Sequence, residues 1–168
     1  EMLKNAFDIQ PGEVSLPTFP PFALFDPALG MTTVVPIMDP TKPAEADPEK
    51  LLEAIDRFKV TNVFGSPALL NTLSRHCVDR KIRIESVMRV ISAGAAVPIR
   101  TIRRMQESLY QDAEIHTPYG ATECLPVSSI SASELDDRMV DRIESGDGVC
   151  VGRPIEPNHV RIIKISDM

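Results

Sequence analysis

The chain has 168 residues, enough for one domain of ordinary size and too few for two. It is 43% hydrophobic and 25% charged, as a folded globular protein is, and its formal charge of −6 argues against nucleic-acid binding, which needs a clustered basic face. No apolar run reaches the ~18 residues of a membrane-spanning helix, and Glu1-Met2-Leu3-Lys4-Asn5-Ala6 lacks the basic-then-apolar order of a signal peptide, so a cytoplasmic location is expected.

Taken in order, the stretch from Pro17 to Pro43 is rich in proline but has Phe19, Phe22, Phe25 and Leu29 interleaved, which predicts packed irregular structure rather than a linker. A short helix over Ala23–Leu29 and a strand over Thr32–Ile37 are expected within it. Asp47-Pro48 reads as an N-cap followed by proline at the first helical position, and Leu51, Leu52, Ile55 and Phe58 then share one face at helical spacing. Val60–Phe64 predicts a β-branched strand closed by Gly65. Ser66-Pro67 caps the next helix, with Leu69, Leu70, Leu73 and Cys77 on one face. Val87–Ile91 is a second strand, Pro98 opens a helix carrying Ile99, Ile102, Met105 and Leu109, and Glu114–Thr117 is a third strand. Strand and helix alternating at this period predict an α/β fold, a largely parallel sheet with right-handed βαβ crossovers. Beyond it, Val127–Ile130 is expected as a strand, and Ser131 and Ser133 with Leu135, Met139, Val140 and Ile143 as a helix. Ser145-Gly146-Asp147-Gly148 reads as a turn and Val160–Ile165 as a final strand. The organisation is that of a single truncated domain: an entry segment over 1–45, a βαβ core over 46–130 and a closing segment over 131–168.

Cys77, Cys124 and Cys150 form no CxxC pair, and His76, His116 and His159 no HxxxH pair, so free thiols are expected and a zinc site is not. Ser66 sits in the wrong context for a nucleophile elbow and reads as a cap. No GxxxxGK[ST], GxGxxG or GxSxG segment occurs.

In an open parallel sheet, ligands bind beyond the carboxyl ends of the strands. Three successive strand ends carry small or polar residues: Gly65-Ser66, Ser92-Ala93-Gly94-Ala95-Ala96, and Tyr119-Gly120-Ala121-Thr122-Glu123. Small residues let a ligand approach the backbone, and amides at helix starts favour anions. Tyr119 offers a flat face for a base, Thr122 a hydroxyl, and Glu123 a hard oxygen suited to Mg²⁺. Together they predict a nucleotide site.

Tyr119-Gly120-Ala121-Thr122-Glu123 resembles the YGxTE motif of the adenylate-forming superfamily, which holds acyl-CoA synthetases, luciferases and peptide-synthetase adenylation domains. Ser92-Ala93-Gly94-Ala95-Ala96-Val97-Pro98 is similar to its SGGAPLP segment, and Val63 to Leu70 to the strand-to-helix element before that. Gly148-Val149-Cys150-Val151-Gly152-Arg153-Pro154-Ile155 is similar to its GxVGxP segment. In finer wording, Phe22 to Thr32, His116-Thr117-Pro118 and Cys124-Leu125-Pro126 resemble the olefin β-lactone synthetase branch, and related fatty-acyl-CoA ligases share much of it.

The resemblance implies the middle of the large N-terminal domain of an AMP-forming acid ligase that uses ATP and Mg²⁺ on a long-chain carboxylic acid, a β-hydroxy acid closed by its own hydroxyl in the β-lactone synthetase branch, or a fatty acid passed to CoA in the alternative ligase branch. Thr122 and Glu123 would be catalytic, Thr122 bonding the α-phosphate and Glu123 holding the metal. Gly94, Ala95, Ala96, Tyr119, Gly120 and Ala121 would line the nucleotide, with His116, Thr117 and Pro118 near the acid. The family's phosphate loop and the Lys of its C-terminal domain are expected outside Glu1–Met168, so the chain alone is expected to be inactive. Two readings from other classes remain open at this point: a non-catalytic nucleotide- or acyl-binding module, and an α/β scaffold.

Overall fold

In the computed structural model, which describes residues 1–121 and 123–164, helix α1 (Met2–Phe7) leads to strand β1 (Val14–Pro17). Two one-turn helices, α2 (Pro20–Ala23) and α3 (Asp26–Leu29), precede the short strand β2 (Thr32–Thr33). The single helix expected over Ala23–Leu29 is therefore divided. Pro27 has no amide to bond back along a continuous helix, and proline near the first position starts a new one instead. The strand expected to reach Ile37 stops at Thr33, because Pro36 cannot donate to a ladder and Val35 and Ile37 face solvent.

The middle of the chain follows the predicted alternation: α4 (Pro48–Phe58), β3 (Asn62–Gly65), α5 (Pro67–Arg80), β4 (Arg89–Ser92), α6 (Ile99–Ser108) and β5 (Glu114–His116). Asp47 Oδ1 accepts the Glu49 amide at 3.0 Å, and Ser66 Oγ accepts the Leu69 amide at 3.3 Å, so both caps form as read. Phe58 does not join the buried face of α4. It is half exposed in the last turn, and the Arg57 guanidinium lies 5.3 Å from its ring centre.

The five strands pair in parallel in the order β2-β1-β3-β4-β5. Leu16, Val63, Val90 and Ile115 stand in register across β1, β3, β4 and β5, each at most 2% exposed. They form the sheet side of a core whose helix side includes Leu51, Ile55, Leu70, Cys77, Ile102 and Met105. Burial of this kind contributes ~1.5–3 kcal/mol per large side chain. The opposite sheet face carries Phe64 and Ile91, covered by Phe7, Ile9 and Met31. The three cysteines are free, and burial pushes the Cys77 thiol up to about 11.

Beside the parallel sheet stands a second, smaller one. β6 (Tyr119–Ala121), β7 (Cys124–Ser129) and β8 (Arg153–Pro154) pair antiparallel. Tyr119–Ala121 is thus a strand and not the turn that the sequence predicts. With Ala121 opposite Cys124, only two residues link β6 to β7, which suits a hairpin and excludes a parallel crossover. The helix expected from Ser131 is also divided. A 3₁₀ turn at Ala132–Glu134 ends at extended Leu135, and α7 (Asp137–Glu144) starts afresh with the Asp136 carboxylate accepting the Met139 amide at 2.7 Å. Val160–Lys164 is not a strand, and Ile162 and Ile163 are exposed. Ile165 lies outside the described residues.

Candidate functional site

The carboxyl end of the parallel sheet opens into a cleft. Gly94, Ala95 and Ala96 after β4 form one wall, and Thr117, Pro118, Tyr119 and Gly120 form another. Ile99 and Ile102 of α6 and the Val149–Val151 segment complete it. Gly94 adopts φ +95, and a side chain built on it would meet nothing within 4 Å, so the backbone there borders open space. Gly120 is small for another reason. A Cβ there would stand 2.6 Å from the Cys124 carbonyl oxygen and 2.9 Å from Leu125 Cδ1, so the hairpin itself requires glycine. Tyr119 is 56% exposed and lines the cleft with its side chain free.

Seven of the residues singled out in the sequence therefore meet in one place. Ala121 lies exposed at the end of β6, and Glu123 stands exposed in the hairpin turn, outside the cleft walls. Among the described residues no ion pair involves Glu123. Thr122 lies outside the described residues. Among the described residues no three metal-ligating side chains cluster.

His116 does not join the cleft. It lines a separate hollow with Glu114, Ser131, Glu134 and Arg153 and packs edge-on against Phe7, ring centres 5.3 Å apart. Burial holds its imidazole below the usual range, with Glu114 and Glu134 pulling upward and Arg89 downward. A depressed folded-state value means that the folded chain binds this proton less readily than the unfolded one. Its stabilising contribution is thus present above about pH 6.5 and lost as pH falls from there through the lowered folded-state value. His116→Gln is expected to flatten that part of the stability–pH curve, read from urea unfolding between pH 7.5 and 5. An unchanged slope would assign the loss to other groups.

A narrow apolar cavity adjoins the cleft. Phe22, Phe25, Leu29 and Met31 cover it from the α2–β2 region, and Phe64 and Ile91 line it from the sheet. The rings of Phe22 and Phe64 stack with centres 3.8 Å apart. Ala93 borders this cavity while Gly94 borders the cleft, and Pro118 borders both, so the two spaces meet at that point. Asp26 also lines the cavity and is 4% exposed. Burial raises its carboxyl above the ordinary carboxylate range, although hydrogen bonds from Ser15 and Thr33 oppose the rise. The sequence reading did not single out Asp26, Phe64 or Asn62 as site residues. The one signal available was the run of phenylalanines between prolines, which points to packing before it points to a ligand.

A model of the AMP-binding enzyme family matches residues 22–168. Over 167 residues the chain is 54% identical to the olefin beta-lactone synthetase of Xanthomonas campestris pv. campestris and 52% identical to that of Stenotrophomonas maltophilia. Each match covers 99% of this chain and 29% of the relative, so the chain spans less than a third of the relatives' length. Among solved structures, the nonribosomal peptide synthetase FmoA3 in its alpha-methyl-L-serine-AMP-bound form matches with a TM-score of 0.73 at 19% identity, over 91% of this chain and 17% of that one. At that identity the likeness concerns the fold. With the family match covering the cleft, its glycine-rich walls and the hairpin beside it, the chain belongs to the AMP-binding enzyme family.

Proposed function

We propose that this chain is part of an ATP-dependent, AMP-forming ligase that adenylates a long-chain β-hydroxy acid and closes it to a β-lactone. The observation that carries the reading is the junction at Ala93–Gly94 and Pro118, where an apolar cavity and an open, glycine-walled cleft share a wall. An alkyl chain in the first would bring its carboxylate to a nucleotide in the second. The carboxylate oxygen would attack the α-phosphorus, the bond to pyrophosphate would break, and an acyl-adenylate would form. The β-hydroxyl oxygen would then attack the acyl carbon, releasing AMP and the hydroxyl proton.

Bringing two anions together is the main demand, so positioning and charge neutralisation carry the rate. Backbone at Gly94–Ala96 and the face of Tyr119 would hold the base, and Thr117 and Pro118 would border the reacting carboxylate. Mg²⁺ on Glu123 would neutralise phosphate charge. Thr122, by the family motif, would bond the α-phosphate.

The identity to the two synthetases favours lactone closure over transfer to CoA. Full-length protein with ATP, Mg²⁺ and a long-chain β-hydroxy acid, without CoA, is expected to release pyrophosphate and yield a lactone by mass spectrometry. A thioester formed only when CoA is added would establish the ligase alternative, and no pyrophosphate release from any acid would refute adenylation.

A further inference from the structure

The inner end of the apolar cavity is polar, and the adenylation chemistry does not use it. Strand register sets Thr33, Ser15, Asn62, Arg89 and Glu114 side by side across β2, β1, β3, β4 and β5. Side chains alternate along a strand, so this row stands on the face opposite Leu16, Val63 and Val90. Ser15 and Asn62 line the cavity, and Val14, before Ser15 on β1, does not. Two residues nearer the cleft, Phe64 and Ile91 give it an apolar flank, and Ala93 stands at the junction.

The hydrogen bonds in this row leave one group over. Thr33 Oγ1 donates to Asp26 Oδ2 at 3.1 Å. Asn62 Nδ2 donates to Ser15 Oγ at 3.3 Å, across the register pair. Asn62 is 3% exposed, and among the described residues its Oδ1 has no hydrogen-bond partner. A buried carbonyl oxygen of this kind is stabilised by a donor and gains nothing from a methyl group.

We propose that Asn62 is a specificity-determining residue at the closed end of the acyl cavity, stopping a plain alkyl chain there and favouring a chain whose end carries a hydroxyl. Ala93 is four residues beyond the Asn62–Arg89 pair, so this end lies about 13 Å from the junction. The inference rests on the acid-adenylating reading above.

The test measures pyrophosphate release by the full-length protein on straight-chain acids of increasing length, each ending in a methyl or a hydroxyl. The wild type is expected to lose activity beyond a limiting length and, at that length, to prefer the hydroxyl end about tenfold in kcat/KM, about 1.4 kcal/mol. Asn62→Leu should erase that preference. Asn62→Ala, which gives room instead of apolar surface, should lengthen the limit, and it serves as the test if the leucine variant fails to fold. Equal rates for both ends at every length, or the wild-type preference and limit retained in the folded variants, would overturn the proposal. Wild-type protein that releases no pyrophosphate with any acid would overturn the adenylating reading beneath it.

Discussion

Glu123→Gln in the full-length protein is expected to cost about a hundredfold or more in pyrophosphate release while moving the melting temperature by no more than a few degrees. The side chain is exposed in the two-residue link of the β6–β7 hairpin and, among the described residues, joins no ion pair. A substitution at such a position ordinarily changes stability by at most about 0.5 kcal/mol. Glutamine keeps the shape and one oxygen but gives up the charge that a Mg²⁺ ion on phosphates would recruit. The loss should therefore fall on catalysis and be accompanied by a raised Mg²⁺ requirement, measured by titrating the metal at fixed ATP. Near-normal kinetics would remove Glu123 from the chemistry, and a variant that no longer folds would show that its role is structural.

The parts of the fold that could be read from sequence are those written in local chemistry. Asp47-Pro48 and Ser66-Pro67 announce helix starts because a short acceptor followed by proline meets the needs of unpaired amides, and both caps are present. Leu69, Leu70, Leu73 and Cys77 recur at helical spacing because one stripe of α5 is buried. β1 was illegible for the complementary reason. Val14-Ser15-Leu16-Pro17 puts one serine on the polar row and one leucine in the core, too short a pattern to stand out, yet it pairs with two neighbours and lies inside the sheet. The hairpin at Tyr119 was hidden because a glycine-rich stretch after a strand looks the same whether it turns into a helix or doubles back.

The candidate site divides along the same line. Gly94, Ala95, Ala96 and Tyr119 are close to strand ends in sequence, and so the cleft was legible. The apolar cavity draws Phe7, Phe22, Phe64 and Ile91 from four separate stretches of chain: register sets Phe64 beside Ile91, and packing over that sheet face brings Phe7 and Phe22 to them. Asn62 looks in sequence like a polar residue at the start of a strand. Its meaning comes from Ser15, beside it in register and hydrogen-bonded to its amide.

Gly152→Ala is expected to be the most destabilising single-methyl change in the second sheet. Gly152 has φ +73, and a Cβ there would stand 1.9 Å from the Ser129 carbonyl oxygen and 2.3 Å from its carbon. Neither atom can yield easily. Ser129 is paired with Arg153, Ser128 with Pro154, and Ser128 Oγ donates to the Val151 carbonyl at 2.7 Å. The methyl group must therefore push β8 off β7, and Val149–Val151, which walls the cleft, moves with it. A cost of about 3 kcal/mol or more follows from backbone strain and overpacking together. Gly148→Ala separates the two causes. Its φ is +106, but nothing lies within 4 Å of the added carbon, so it should cost only the strain of an L-residue in that conformation, about 1–2 kcal/mol. Urea unfolding of the two variants in full-length protein is expected to show the larger loss at 152, with pyrophosphate release reduced there and near wild type at 148. Equal losses at both positions would mean that the close approach of Gly152 to Ser129 does not hold the sheet together.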